Sequence, residues 1–317
     1  LEQRQFPLAG LRLYASQHSA GETISCGGVD GLVEPLDAAT FEAVDLIFLA
    51  MPEPATVEWA SRFEDSNAIT IDMTQSYVDD LDVPLVVPEV NPHDLGDYAN
   101  RNIVGSPDPT SIALAVVLQP IREAVGLRRV VVTTLEPVSG SGRSGIDELQ
   151  RQTVALMQGM GGDEVGPMYP RRIAFNLFPQ VGALTAGAAS HNEAQTVTAL
   201  RRILDQPDLP VSLTRLRVPL FYGQGLAIDI ECQDALVTEA VVDLLRAAPG
   251  ILLETSDEGE TYPTPADVVG QDAVAVGRVR SDTENHVIDL WAVIDNVRKG
   301  AAVNAVQIAE LLLRDHI

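Results

Sequence analysis

Four continuous apolar runs of strand length punctuate the first hundred residues: LRLYAS (11–16), VDLIFLAM (44–51), AITIDM (68–73) and NIVGSP (102–107). Runs this short, apolar without alternation, suit strands buried on both faces, as in a parallel sheet covered by helices. Between the second and third lies PATVEWASRFED (54–65), whose opening proline and helix-spaced apolar positions predict a crossover helix. The result is a strand–helix–strand pattern of the doubly wound kind.

The next segment, DPTSIALAVVLQPIREAVG (108–126), carries its own helix start, with Asp108 as N-cap and Pro109 at the first helical position. From about residue 127 the pattern changes. Strand-like stretches at 128–138, 213–223, 226–232, 273–282 and 286–295 are longer or alternate, and helices are expected at 144–159 and 234–247. That mixture predicts an antiparallel sheet covered by helices. The last stretch, 297–316, reads as one helix with Ala302, Val306, Ala309 and Leu313 on its apolar face.

Charge narrows the partners. Forty-five acidic residues face 21 basic ones, a formal net charge of -24, and Lys299 is the sole lysine. This balance argues against nucleic acid and anionic membranes. It also leaves no P-loop lysine, and Schiff-base chemistry only if Lys299 is itself buried in a site. Cys26 and Cys232 are the only cysteines, with no pairing or metal-ligand spacing, so no disulfide framework and no metal site are expected and the cytoplasm is the expected compartment. No apolar stretch reaches the roughly 20 residues that span a bilayer.

PLVVPEVN (84–91), VSGSGRSGIDEL (138–149), IAFNLFPQ (173–180), RVPLFYG (217–223), VGRVRSD (276–282) and DNVRKGAAVNAVQIAELLL (295–313) together make the chain resemble the aspartate-semialdehyde dehydrogenase family over nearly its whole length. The resemblance implies an α/β fold: a Rossmann-like NAD(P)-binding domain over 1–108, completed by the C-terminal helix 297–317, and a central α+β dimerisation and substrate domain over 109–296. It also implies a homodimer formed through that central domain, and a first strand with a Gly-rich loop ahead of residue 1, expected to be missing from the sequence in hand through truncation. Active members reduce aspartyl phosphate with NADPH through a cysteine thioester.

Position by position, the chemistry departs from that pattern. Pro109 falls where the resemblance places the nucleophilic cysteine, and proline has no nucleophilic atom. The neighbouring hydroxyls of Thr110 and Ser111 read as parts of a helix start rather than as activated nucleophiles. Arg217 matches the substrate-carboxylate arginine, but seven residues on stands Gln224 in place of the acid/base histidine, and glutamine exchanges no proton near neutral pH. Glu136 replaces a glutamine and would repel an anionic substrate. A substrate-binding Glu and Lys fall on Asn192 and Gln195, and a phosphate-binding arginine near Val78. In YASQHSAGE (14–22), Ser16 and Ser19 match the segment that reads the NADP 2′-phosphate, with His18 for arginine and Glu22 for lysine. That substitution implies weakened NADP or NAD binding. A turn that only closes the strand is the other reading. His93, His191, His286 and His316 read as surface or capping residues, and the two thiols as packing groups.

The expectation is therefore a family member without the phosphate-dependent dehydrogenase activity. Two alternatives stay open: an oxidoreductase acting on an aldehyde or oxo group with NAD(P) by a non-covalent route, and a non-catalytic regulatory or ligand-binding partner holding a small carboxylate on Arg217.

Overall fold

The computed structural model describes residues 1–17, 19–51, 53–160, 166–187, 189–255 and 261–316. The chain divides into two compact units: 1–88 with 92–106 and 305–317, and 89–91 with 107–304.

In the first unit, strands β1 (Leu13–Ala15), β2 (Thr23–Cys26) and β3 (Val29–Pro35) form one sheet, with β3 central, parallel to β1 and antiparallel to β2. Gly27 and Gly28, both at positive φ, make the two-residue turn of the β2–β3 hairpin. Strand β4 (Leu46–Leu49), helix α1 (Glu53–Glu64), β5 (Ile69–Asp72) and β6 (Ile103–Gly105) build the expected parallel unit in the order β4-β5-β6. Period two explains why β4 is apolar at every position. Ile47 and Leu49 pack with Trp59 and Phe63 of α1, while Leu46 and Phe48 join the opposite cluster with Ile69, Ile71 and Val104.

In the second unit, helix α2 (Pro109–Val125) is apolar and mostly buried, as a central helix must be. It lies against the sheet built by β7 (Leu127–Glu136), β8 (Val211–Arg217), β9 (Gln224–Cys232), β10 (Ile251–Glu254), β11 (Val274–Asp282) and β12 (Val287–Ile294). The strand order is β10-β11-β12-β9-β7-β8, antiparallel inside and parallel at both edges. Helices α3 (Gly142–Met157), α4 (His191–Ile203) and α5 (Thr238–Ala247) complete the unit. The other sheet face is half-exposed. It carries Arg129 paired with Glu231 at 2.9 Å, Arg280 with Asp289 at 3.6 Å, and Asp229 directly across from Asp289. Partial burial and those neighbouring carboxylates raise the Asp229 pKa.

The C-terminal stretch departs from a single helix. Residues Arg298–Val303 form a π-helical turn, and only then does α6 (Asn304–Asp315) begin. The turn shifts the helical phase, so the buried stripe is Ala305, Ile308, Ala309 and Leu312, which joins the core of the first unit. Of the expected face, Val306 and Ala309 are buried, Leu313 is half-buried and Ala302 is exposed. No helix among the described residues is long and apolar enough to cross a membrane.

Candidate functional site

The start of α2 follows its sequence signals. Asp108 caps the helix, accepting from the Ser111 amide at 3.0 Å and from the Ser111 hydroxyl, and Pro109 takes the first position, where its missing N–H is harmless. A methyl group on Gly300, in the π-turn, would lie 2.6 Å from the Pro109 Cβ, so the π-turn packs closely on the helix start. Thr110 is fully buried, and its hydroxyl accepts a 2.7 Å hydrogen bond from Gln224 Nε2 at the head of β9. The Thr110 and Ser111 hydroxyls are thus both engaged in structural bonds, and among the described residues the capping carboxylate is the base they meet.

Parallel pairing of β7 with β8 sets Thr134 beside Arg215 and Glu136 beside Arg217. Because side chains alternate along a strand, all four stand on one face of the sheet. Arg215 is the hub of this cluster. Its Nε donates to Glu136 Oε1 at 2.5 Å, and its Nη1 lies 2.9 Å from Asp108 Oδ2 and donates to Thr196 Oγ1 at 2.8 Å and the Asn192 carbonyl at 3.2 Å. Burial opposes the Arg215 charge, but Glu136 and Asp108 outweigh it and hold its pKa above the usual value. For Arg217 burial wins: it lowers the pKa despite Glu136 and Tyr169, with Arg215 adding to the effect. Arginine still stays protonated near neutral pH.

Arg215 has no distinguishing mark in the sequence. Its strand, β8, lies at the sheet edge and offers no local signal that an arginine there will meet two carboxylates from distant elements. Helix α4 lies outside the helices expected from sequence, although S-x-x-E at Ser190–Glu193 is a capping-box pattern and both of its hydrogen bonds form. Asn192 and Gln195 sit on that helix. Val78 is buried in the first unit. Ser16 and Ser19 also lie there, in the turn after β1, where the Ser19 amide donates to the Ser16 carbonyl at 3.0 Å. His18 lies outside the described residues.

Neither thiol stands in the cluster. Cys26 ends β2 and is half-buried, whereas Cys232 is buried in β9, where desolvation pushes its pKa up to about 11. Iodoacetamide at pH 8 is therefore expected to label Cys26 quickly and Cys232 only after denaturation. Mass spectrometry showing equal labelling rates in the folded protein would contradict this. Among the described residues no group of three or more His, Cys, Asp or Glu side chains could hold a metal ion.

The description "Semialdehyde dehydrogenase, NAD binding domain" matches residues 1–98, and "Semialdehyde dehydrogenase, dimerisation domain" matches 118–299. Aspartate-semialdehyde dehydrogenase 2 of Vibrio cholerae is 39% identical over 318 aligned positions, covering 100% of this chain and 93% of the relative. The chain belongs to the aspartate-semialdehyde dehydrogenase family. The Shewanella violacea dehydrogenase is 40% identical at the same coverage. The crystal structure of aspartate semialdehyde dehydrogenase II from Vibrio cholerae superposes with a TM-score of 0.95 at 38% identity, covering 100% of this chain and 93% of that one. A probable aspartate-semialdehyde dehydrogenase from Pseudomonas aeruginosa gives 0.93 at 32%, with the same coverage. The α/β fold of a Rossmann-like domain plus a dimerisation domain is thereby established for this chain.

Proposed function

We propose that this family member does not catalyse phosphate-dependent oxidation of aspartate semialdehyde or its reverse. The observation that supports the reading is the pair Pro109 and Gln224 at the positions that the sequence resemblance assigns to nucleophile and acid/base, with Gln224 spent on a structural bond to Thr110. Without a nucleophile no thioester forms, and without a titratable group no proton moves at that atom. Glu136 and Arg215 add a buried charge pair beside the helix start.

The turn after β1 supports nucleotide binding of a restricted kind. Ser16 is exposed and Ser19 half-buried, so both hydroxyls suit a ribose, while the described residues of 14–22 include no cation to meet a 2′-phosphate. A bound nicotinamide would supply a hydride carrier. The half-exposed face of the second unit's sheet, in the region matching the dimerisation domain, supports a homodimer.

The test is direct. Purified protein incubated with aspartate semialdehyde, phosphate and NADP is expected to reduce nicotinamide no faster than a blank, about 10⁴-fold or more below the Vibrio cholerae relative assayed alongside. Turnover within tenfold of that relative would overturn the reading.

A further inference from the structure

Arg217 is only 6% exposed, yet its five N–H donors are poorly matched. Nη1 donates to the Pro137 carbonyl, and Nη2 stands 3.8 Å from Glu136 Oε2, an ion pair beyond hydrogen-bond reach. Tyr169 packs on Phe178, with ring centroids 5.6 Å apart, and the Phe178 backbone pairs with that of Arg217; Tyr169 is itself buried, with a hydroxyl that has no hydrogen-bond partner among the described residues. Buried polar groups are normally paired, so two incompletely paired ones in one neighbourhood mark a place suited to an anion.

What stands against an anion is Glu136. It cannot swing fully onto Arg217, because its Oε1 is held by Arg215 Nε at 2.5 Å and by the Thr134 hydroxyl at 3.0 Å. Arg215 in turn is fixed by Asp108 and Thr196. The two guanidinium groups are already matched by the carboxylates of Glu136 and Asp108, and Glu193 accepts from the Arg215 amide at 3.0 Å, so the cluster offers an incoming anion no net attraction. A second carboxylate at Arg217 would sit within a few ångströms of a buried carboxylate, where like-charge repulsion is weakly screened.

We propose that Glu136, anchored on Arg215, is an internal competitor that keeps small carboxylates off Arg217. The inference deepens the reading above, in which the phosphate-dependent reaction is lost, and rests on it for the identity of the site. Glu136 is thus a specificity-determining residue: the carboxylate built into the fold takes the charge that a ligand carboxylate would otherwise meet.

Titration with succinate, followed by isothermal calorimetry at pH 7.5 and fixed ionic strength, tests it. Wild-type protein is expected to show no saturation below about 10 mM, and Glu136→Gln to bind at least tenfold more tightly. Adding Arg217→Met to Glu136→Gln should abolish the gain. Should Glu136→Gln fail to fold with Arg215 unpaired, Glu136→Gln combined with Arg215→Met removes the stranded cation and carries the same expectation. Folded variants that bind no better than wild type would sink the idea, as would a gain that survives loss of Arg217. Saturable wild-type binding below 10 mM that Arg217→Met removes would overturn it without any Glu136 variant. Equilibrium binding needs no turnover, so an active wild type in the nicotinamide assay would refute the activity reading and leave these titrations to stand or fall alone.

Discussion

Arg215→Met is expected to lower the unfolding free energy of the second unit by about 3–5 kcal/mol, the usual result of removing one partner from a buried ion pair. Arg215 is buried, and it separates Glu136 from Asp108, two carboxylates that are themselves largely buried. Methionine fills much of the same volume but leaves Glu136 Oε1 with the Thr134 hydroxyl alone, and Asp108 with its helix-cap bonds and the Thr196 hydroxyl at 3.3 Å. Urea unfolding of a Trp59→Phe background isolates the signal, because Trp291 then reports from the second unit alone. Adding Glu136→Gln to Arg215→Met should recover part of the loss, since the two sites share one bond. An unchanged midpoint in Arg215→Met would show that the cluster is not coupled to stability.

Lys299→Met is expected to be as damaging, again about 3–5 kcal/mol. Lys299 is completely buried, and its ammonium donates to both oxygens of Glu89, at 2.9 and 2.8 Å, and reaches Asn304 Oδ1 at 3.5 Å. Burying a lysine is costly unless it is paired this way. A Cβ added to Gly250 would come within 3.0 Å of the Glu89 Cγ, so the Glu89 side chain is closely packed. Lys299→Met with Glu89→Gln should unfold at higher urea than Lys299→Met alone. If the double variant is no more stable, the ion pair is not what the lysine contributes. The sole lysine of the chain is thus read as part of the scaffold, not as a Schiff-base donor.

Where the signals are local, the sequence is a good guide. Asp108 and Pro109 announce α2 because a cap and a first-turn proline act on the adjacent backbone alone. The runs at 44–51 and 68–73 announce β4 and β5 because both faces of that sheet are covered. Strand β2 carries no pattern of its own in the sequence: it is mostly exposed, so no buried face imposes one. The apolar face of 297–316 was misplaced by about one residue because the π-turn resets the phase of α6, which periodicity in a single window does not register. The chemistry shows the same division. Pro109 and Gln224 are visible as substitutions, whereas their consequences in space, a glutamine tied to Thr110 and an arginine wedged between two carboxylates, arise from pairings between distant segments.

The stripe of α6 has a consequence for synthesis. The core of the first unit needs Ala305, Ile308, Ala309 and Leu312 beside Ile69, Ile71 and Val104, so its earliest strands reach the ribosome exit long before the helix that must cover them. Domains generally fold as units while the chain emerges. Here the order is inverted: residues 107–304 can complete their own sheet first, while the nascent parallel strands wait with apolar surface bare. The period of greatest aggregation risk is therefore set by the time taken to translate the second unit, and chaperone demand should fall on the N-terminal strands.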